Sequence, residues 1–209
     1  MVKDQSCNSS QKNQFGEVIE GNLSFWIGQS WEWNHVPEFG SLVVATSNNI
    51  KMYGIICNIQ TGSSDPARKP TPYQKTEEEL LRDQPQIFQF LQTRFNCVAV
   101  GYEQSKNIFY HIPSQPTKIH TFIEHATTDD YQKFFSNNQF LNILFNQQSQ
   151  IANFDELILA VIKNLHEKKC LDKTNLYDFI ETLSILYKND YQRLKTFLYR
   201  IQSMIPHLA

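Results

Sequence analysis

The chain is 209 residues long, 41% hydrophobic and 19% charged, with a formal net charge of −2 at neutral pH. That is enough chain and enough apolar content for a folded core, and it argues against a disordered chain and against a strongly basic nucleic-acid binder, whose affinity rests on neutralising several phosphates. The longest apolar runs, such as LILAVI at 157–162, fall far short of the roughly 20 residues that a membrane-spanning helix needs.

Residues 1–14 are polar and lack the apolar core of a secretory leader; they read as a flexible tail. Cys7, Cys57, Cys97 and Cys170 are scattered with no CxxC pair, the pattern of reduced, mostly buried thiols and not of a disulfide frame or a zinc site. The bias toward Asn, Lys, Ile, Phe, Tyr and Gln over Ala and Gly fits an AT-rich coding genome. The expected location is therefore the cytoplasm, or the plastid stroma if the chain is organelle-encoded.

FGEVIE (15–20) and NLSFWI (22–27) flank Gly21 as two strands around a turn. Trp26, Trp31 and Trp33 follow closely, with Phe25 and Phe39 nearby. Such aromatics can stack bases in a barrel groove, but residues 22–40 contain no Lys or Arg, so core or a protein interface is the better reading. SLVVATS (41–47) and KMYGIICNIQ (51–60) flank Asn48 and Asn49, which tolerate positive φ and suit a hairpin.

TGSSDPARKPTPYQ (61–74) is small, basic and proline-rich. It lacks the second glycine and the GK[ST] of a phosphate-binding loop, and no GxGxxG, GxSxG or HExxH occurs anywhere in the chain. Thr76 and Glu79 then form a capping box, and Pro85 suits the start of a second short helix. Residues 61–92 are thus expected to be an anchored insertion between strands, offering Arg68, Lys69 and Lys75 to an acidic partner.

RFNCVAVGYE (94–103) and NIFYHI (107–112) repeat the hairpin pattern, and IHTFIEH (119–125) supplies a last strand. On that strand His120 and His125, five apart, would point to opposite faces, so with His111 they do not predict a metal site. Asp129 and Asp130 read as helix-start residues.

All seven glycines lie in the first half, and residues 117–205 contain neither Gly nor Pro, so the second half should be helical. Phe154, Leu157, Ile158, Val161, Ile162 and Leu165 fall on one helical stripe, with Asn153 as N-cap and Glu156 at the third position. Further stripes run through Leu176, Phe179, Ile180, Leu183 and Leu186, and through Leu194, Phe197, Leu198 and Ile201 after Asp190. Arg193 and Arg200 share a face that reads as solvated, or else as a dock for an acidic partner. The expected fold is α+β: a tail at 1–14, a small β-barrel over 15–126 with its insertion, and a helical bundle over 127–209.

GEVIEG (16–21), PEFGSLVVA (37–45) and YGIICNIQTG (53–62) resemble, in order and spacing, the small barrel known as the HAS barrel of HerA-type DNA translocases and ATP synthases. The resemblance rests on Gly16, Val18, Gly40, Val43, Val44, Gly54 and Ile59 and covers roughly residues 15–125. It implies an assembly role, since such barrels help ATPase rings form and dock partner proteins. No Walker motif follows here, so ATP hydrolysis is not carried over. The expected function is that of a non-enzymatic protein-interaction module without cofactor or metal, binding a protein partner such as a ring ATPase or a second copy of itself. Trp26, Trp31, Trp33, Arg68, Lys69 and Lys75 are its candidate contacts; the alternative is nucleic-acid binding through the same residues.

Overall fold

A computed structural model describes residues 13–65, 67, 70–187 and 190–205. Its first half is a barrel of antiparallel strands: β1 (Gln14–Gly21), β2 (Phe25–Ser30), β3 (Leu42–Ser47), β4 (Ile50–Ser63), β5 (Leu91–Gln104) and β7 (Phe122–His125). They pair in the order β2-β1-β7-β3-β4-β5, and β2 pairs with β5 to close the ring. A three-residue strand, β6 (Asn107–Phe109), extends the sheet outside the ring along β5.

Two hairpins arise as their turn residues require. Asn48 and Asn49 sit at φ 52° and 60°, and Ser105 and Lys106 at 51° and 68°. Consecutive positive-φ residues are what a two-residue turn needs to match the twist of its strands.

The barrel interior is filled by Phe15, Val18, Trp26, Phe95, Cys97 and Ile123 with smaller neighbours. Two glycines make room for the rings: a β-carbon on Gly28 would run into Phe95 and Ile123, and one on Gly54 into the indole of Trp26. The outer face of β3, β4 and β5 is apolar as well. Leu42, Val44, Tyr53, Ile55, Val98 and Val100 share a second core with the helices that follow. Barrel and helical region are therefore joined along one continuous apolar interface.

Those helices are α2 (Thr128–Phe134), α3 (Phe140–Asn146), α4 (Phe154–Glu167), α5 (Lys173–Leu186) and α6 (Tyr191–Met204), after α1 (Glu77–Asp83) in the insertion. The three expected stripes are the buried faces of α4, α5 and α6. Thr127 and Asp130 form a capping box at α2, and Asp130 also pairs with Lys51 across to the barrel. Asp190 caps α6 by accepting from the Arg193 N–H at 3.0 Å.

Several boundaries differ from the sequence reading. β4 runs to Ser63, with Thr61, Gly62 and Ser63 opposite Thr93, Gln92 and Leu91, so the insertion begins at Ser64. Long strand pairing overrides the turn-like composition of that segment. The second short helix expected from Pro85 is a 3₁₀ helix, Pro85–Phe90, which leads directly into β5. β6 and β7 are shorter than expected, and His120, at φ 65°, lies in a turn before β7. Asn153 makes no side-chain cap; Glu156 instead bonds Arg200.

Candidate interaction face

The helices cover only one side of the barrel. On the opposite side, cross-strand register places Glu17 of β1 between Gln29 of β2 and Phe122 of β7, a row whose side chains point away from the barrel core. Phe122 and Trp31 are about half exposed, at 48% and 51%. Their rings stand edge to face, with centroids 5.4 Å apart and planes at 87°.

Glu17 organises this patch. One carboxylate oxygen accepts from the Trp31 indole N–H at 3.0 Å, and the other lies 3.1 Å from Nδ1 of His120. Ile119, 58% exposed, extends the apolar surface on the same turn. The Trp31 backbone N–H is held by the Phe15 carbonyl at 2.9 Å, so the ring is anchored at both main chain and side chain. Rigid aromatics fixed in this way give contact area at little entropic cost.

The expected contacts are distributed differently from the sequence reading. Trp26 is 1% exposed and belongs to the barrel core, so it cannot contact a partner; β2 alternates its side chains and turns this one inward. Trp33 is half-buried against Phe88, which ties the insertion down, and its carbonyl accepts from the Thr93 hydroxyl of β5. Lys75 donates to Asp83 at 2.8 Å, clamping the ends of α1 together. Arg68 and Lys69 lie outside the described residues. Arg193 and Arg200 are also engaged internally: they pair with Asp155 and Glu156 at the start of α4, so the open-face reading of α6 is corrected.

The histidines do not converge on one site. His111 lies 3.4 Å from the Tyr102 hydroxyl and His120 sits on Glu17, while His125 meets His35, its Nε2 3.3 Å from that of His35. Among the described residues no group of three His, Cys, Asp or Glu side chains is placed to hold a metal. Burial pushes the His125 imidazole below its ordinary pKa, and the charges of His35 and Lys168 push the same way against Glu38.

A cavity of about 400 Å³ opens between the β2–β5 seam and the connection from α3 to α4, lined by Asn22, Phe25, Asn58, Asn96 and Ile151 among others. Only Glu20 and Cys57 titrate in its lining. Burial raises the Cys57 thiol to about 11, leaving it protonated at neutral pH and without nucleophilic character. Cys97 is buried, its thiol raised for the same reason. Cys57, Cys97 and Cys170 are free.

Among the described residues no helix is long and apolar enough to cross a membrane. No family model matches the sequence, and no curated protein matches it.

Proposed function

We propose that this chain is a non-enzymatic protein-interaction module that docks a partner through the barrel face around Glu17, Trp31 and Phe122. The observation that carries this reading is the pair of half-exposed, perpendicular rings of Trp31 and Phe122, fixed through Glu17 on the side of the barrel that the helices leave bare. Aromatic anchors held rigidly at a surface are the residues that dominate binding energies at interfaces. Glu17, with both oxygens at this surface, favours a partner that brings an apolar contact and a cation together. The resemblance to HAS barrels, which dock proteins and help rings assemble, agrees with an assembly role. Nucleic acid is the poorer reading, since a carboxylate stands at the centre of the aromatic patch and would repel phosphate.

The test is affinity capture from native lysate with the wild-type chain and with a Trp31→Ala/Phe122→Ala double variant, alongside sedimentation of both purified proteins. A protein retained by the wild type and lost from the variant, or self-association that the variant abolishes, supports the reading. Identical captured sets and identical sedimentation overturn it.

A further inference from the structure

Residues 31–41 pass from β2 to β3 without a regular element, and this segment begins at Trp31. It is fastened near its start by the Trp31 N–H on the Phe15 carbonyl and the Trp33 carbonyl on Thr93, near its end by the Phe39 carbonyl on Asn164 and the Gly40 N–H on the Ile56 carbonyl, and between these at His35 to His125. The last fastening joins it to the end of β7. The two imidazole centroids are 5.5 Å apart and the planes differ by 21°, while the Nε2 atoms are 3.3 Å apart. The nitrogen edges therefore face one another, and an N–H on one ring aims at the lone pair of the other. Both rings lie flat against Phe15, with centroids at 5.4 and 4.1 Å, so neither can swing aside without losing that stack.

Two imidazoles meeting in this way tolerate one proton and not two. In the neutral pair one Nε2 donates and the other accepts. A first proton goes to a Nδ1 and leaves that bond in place, now charge-assisted. A second proton makes both Nε2 atoms donors, which removes the bond and sets two like charges in contact. The charged groups facing His125 are Glu38 from the same segment and Lys168 from the end of α4, of opposite effect. β1 brings the uncharged Phe15 ring, and the neighbouring Glu124 is turned to Gln14 at 2.9 Å. Two imidazole nitrogens are only half of a tetrahedral metal set, and no third ligand joins them among the described residues, so the occupant that this geometry fits is a proton.

We propose that His35 and His125 form a proton-operated latch: it holds residues 34–36, the stretch between the fixed ends of this segment, against the barrel while the pair carries at most one proton, and releases them when both rings are protonated. Release would loosen the stretch that follows Trp31 and Trp33, and with it the border of the docking face, in mildly acidic surroundings. Only that consequence rests on the proposed function; the latch belongs to the isolated chain, and its test needs no partner.

Hydrogen exchange of the purified full chain at pH 7.5 and 5.0, corrected for the intrinsic pH dependence of exchange, reads the latch directly. In the wild type the amides of residues 34–36 should exchange about tenfold faster at pH 5.0. In His35→Gln, whose amide can still donate to His125 but cannot be charged, the difference should disappear. No acceleration in the wild type, or the same acceleration in His35→Gln, overturns the proposal. If His35→Gln does not fold, NMR titration of the wild-type imidazoles decides. A coupled pair whose second step falls below the ordinary value of about 6.5 supports the latch; two independent titrations near that value overturn it.

Discussion

Replacing Arg193 by methionine removes the guanidinium that fastens α6 to the start of α4, both its ion pair with Asp155 and its place 4.9 Å over the Tyr187 ring. Arg193 donates from Nε and Nη2 to both carboxylate oxygens of Asp155, at 2.8 and 2.6 Å for the shortest contacts. The Tyr187 hydroxyl donates to the same carboxylate at 2.6 Å and would remain in the variant. Hydrogen bonds to charged groups contribute about 1.5–3 kcal/mol when buried, against about 0.2–1 kcal/mol for an exposed pair. With the two side chains 35% and 31% exposed, the loss should fall between, at about 1–2 kcal/mol.

Its pH dependence has a defined sign. Burial alone would raise the Asp155 carboxyl, but the hydrogen bonds from Arg193 and Tyr187 and the charges of Arg193 and Arg200 outweigh it and hold the group below its ordinary value. A folded-state pKa below the unfolded one means that the unfolded chain binds more protons in acid. The contribution is whole above about pH 4 and is lost as the pH falls through the folded value. Urea unfolding followed by far-ultraviolet circular dichroism should therefore show a wild-type advantage at pH 7 that narrows toward pH 3. A gap smaller than about 0.3 kcal/mol at pH 7, or one that widens in acid, would refute the reasoning.

Three further substitutions probe other parts of the structure. Gly54→Ala drives a methyl into the buried indole of Trp26 and should cost about 1–3 kcal/mol in urea unfolding; a neutral effect would mean that the ring can shift. Thr127→Ala removes the capping box that starts α2, and a loss of about 1 kcal/mol is expected by the same measurement. Trp31→Ala, on the bare face, should leave global stability within about 0.5 kcal/mol of wild type, which separates a docking role from a structural one.

Much of this architecture was legible because the two sides of the barrel are written differently in the sequence. LVVA, MYGIIC and CVAV are runs without a polar side chain, other than the Tyr53 hydroxyl, and the strands that contain them are buried both by the barrel interior and by the helices. FGEVIEG and FWIGQS are interrupted by polar residues, and their strands are covered on one side only. The Asn-Asn turn and the three late helices follow from local chemistry, so they too could be read directly. The ends of β4 and β5 could not, because Thr61, Gly62 and Ser63 become strand through partners some thirty residues away.

The candidate face was legible only in part. Trp31 stood out, but its companions Glu17 and Phe122 are joined to it by barrel closure and not by spacing. The alternation of FIEH puts Phe122 on the outward face, but only the pairing of β7 with β1 sets it beside Glu17. Of the three tryptophans offered as contacts, Trp26 belongs to the core, because the in-and-out alternation of β2 turns it inward. His35 and His125 lie 90 residues apart, beyond the reach of any local pattern.

The central claim is tested most directly by a hydrogen-exchange footprint of this chain, free and bound to a protein that the affinity capture retains. The account predicts protection at residues 15–21, 31–33 and 119–125, which surround Glu17, Trp31 and Phe122. Protection confined to α5 and α6, where Tyr177, Tyr191 and Tyr199 are also exposed, would contradict it.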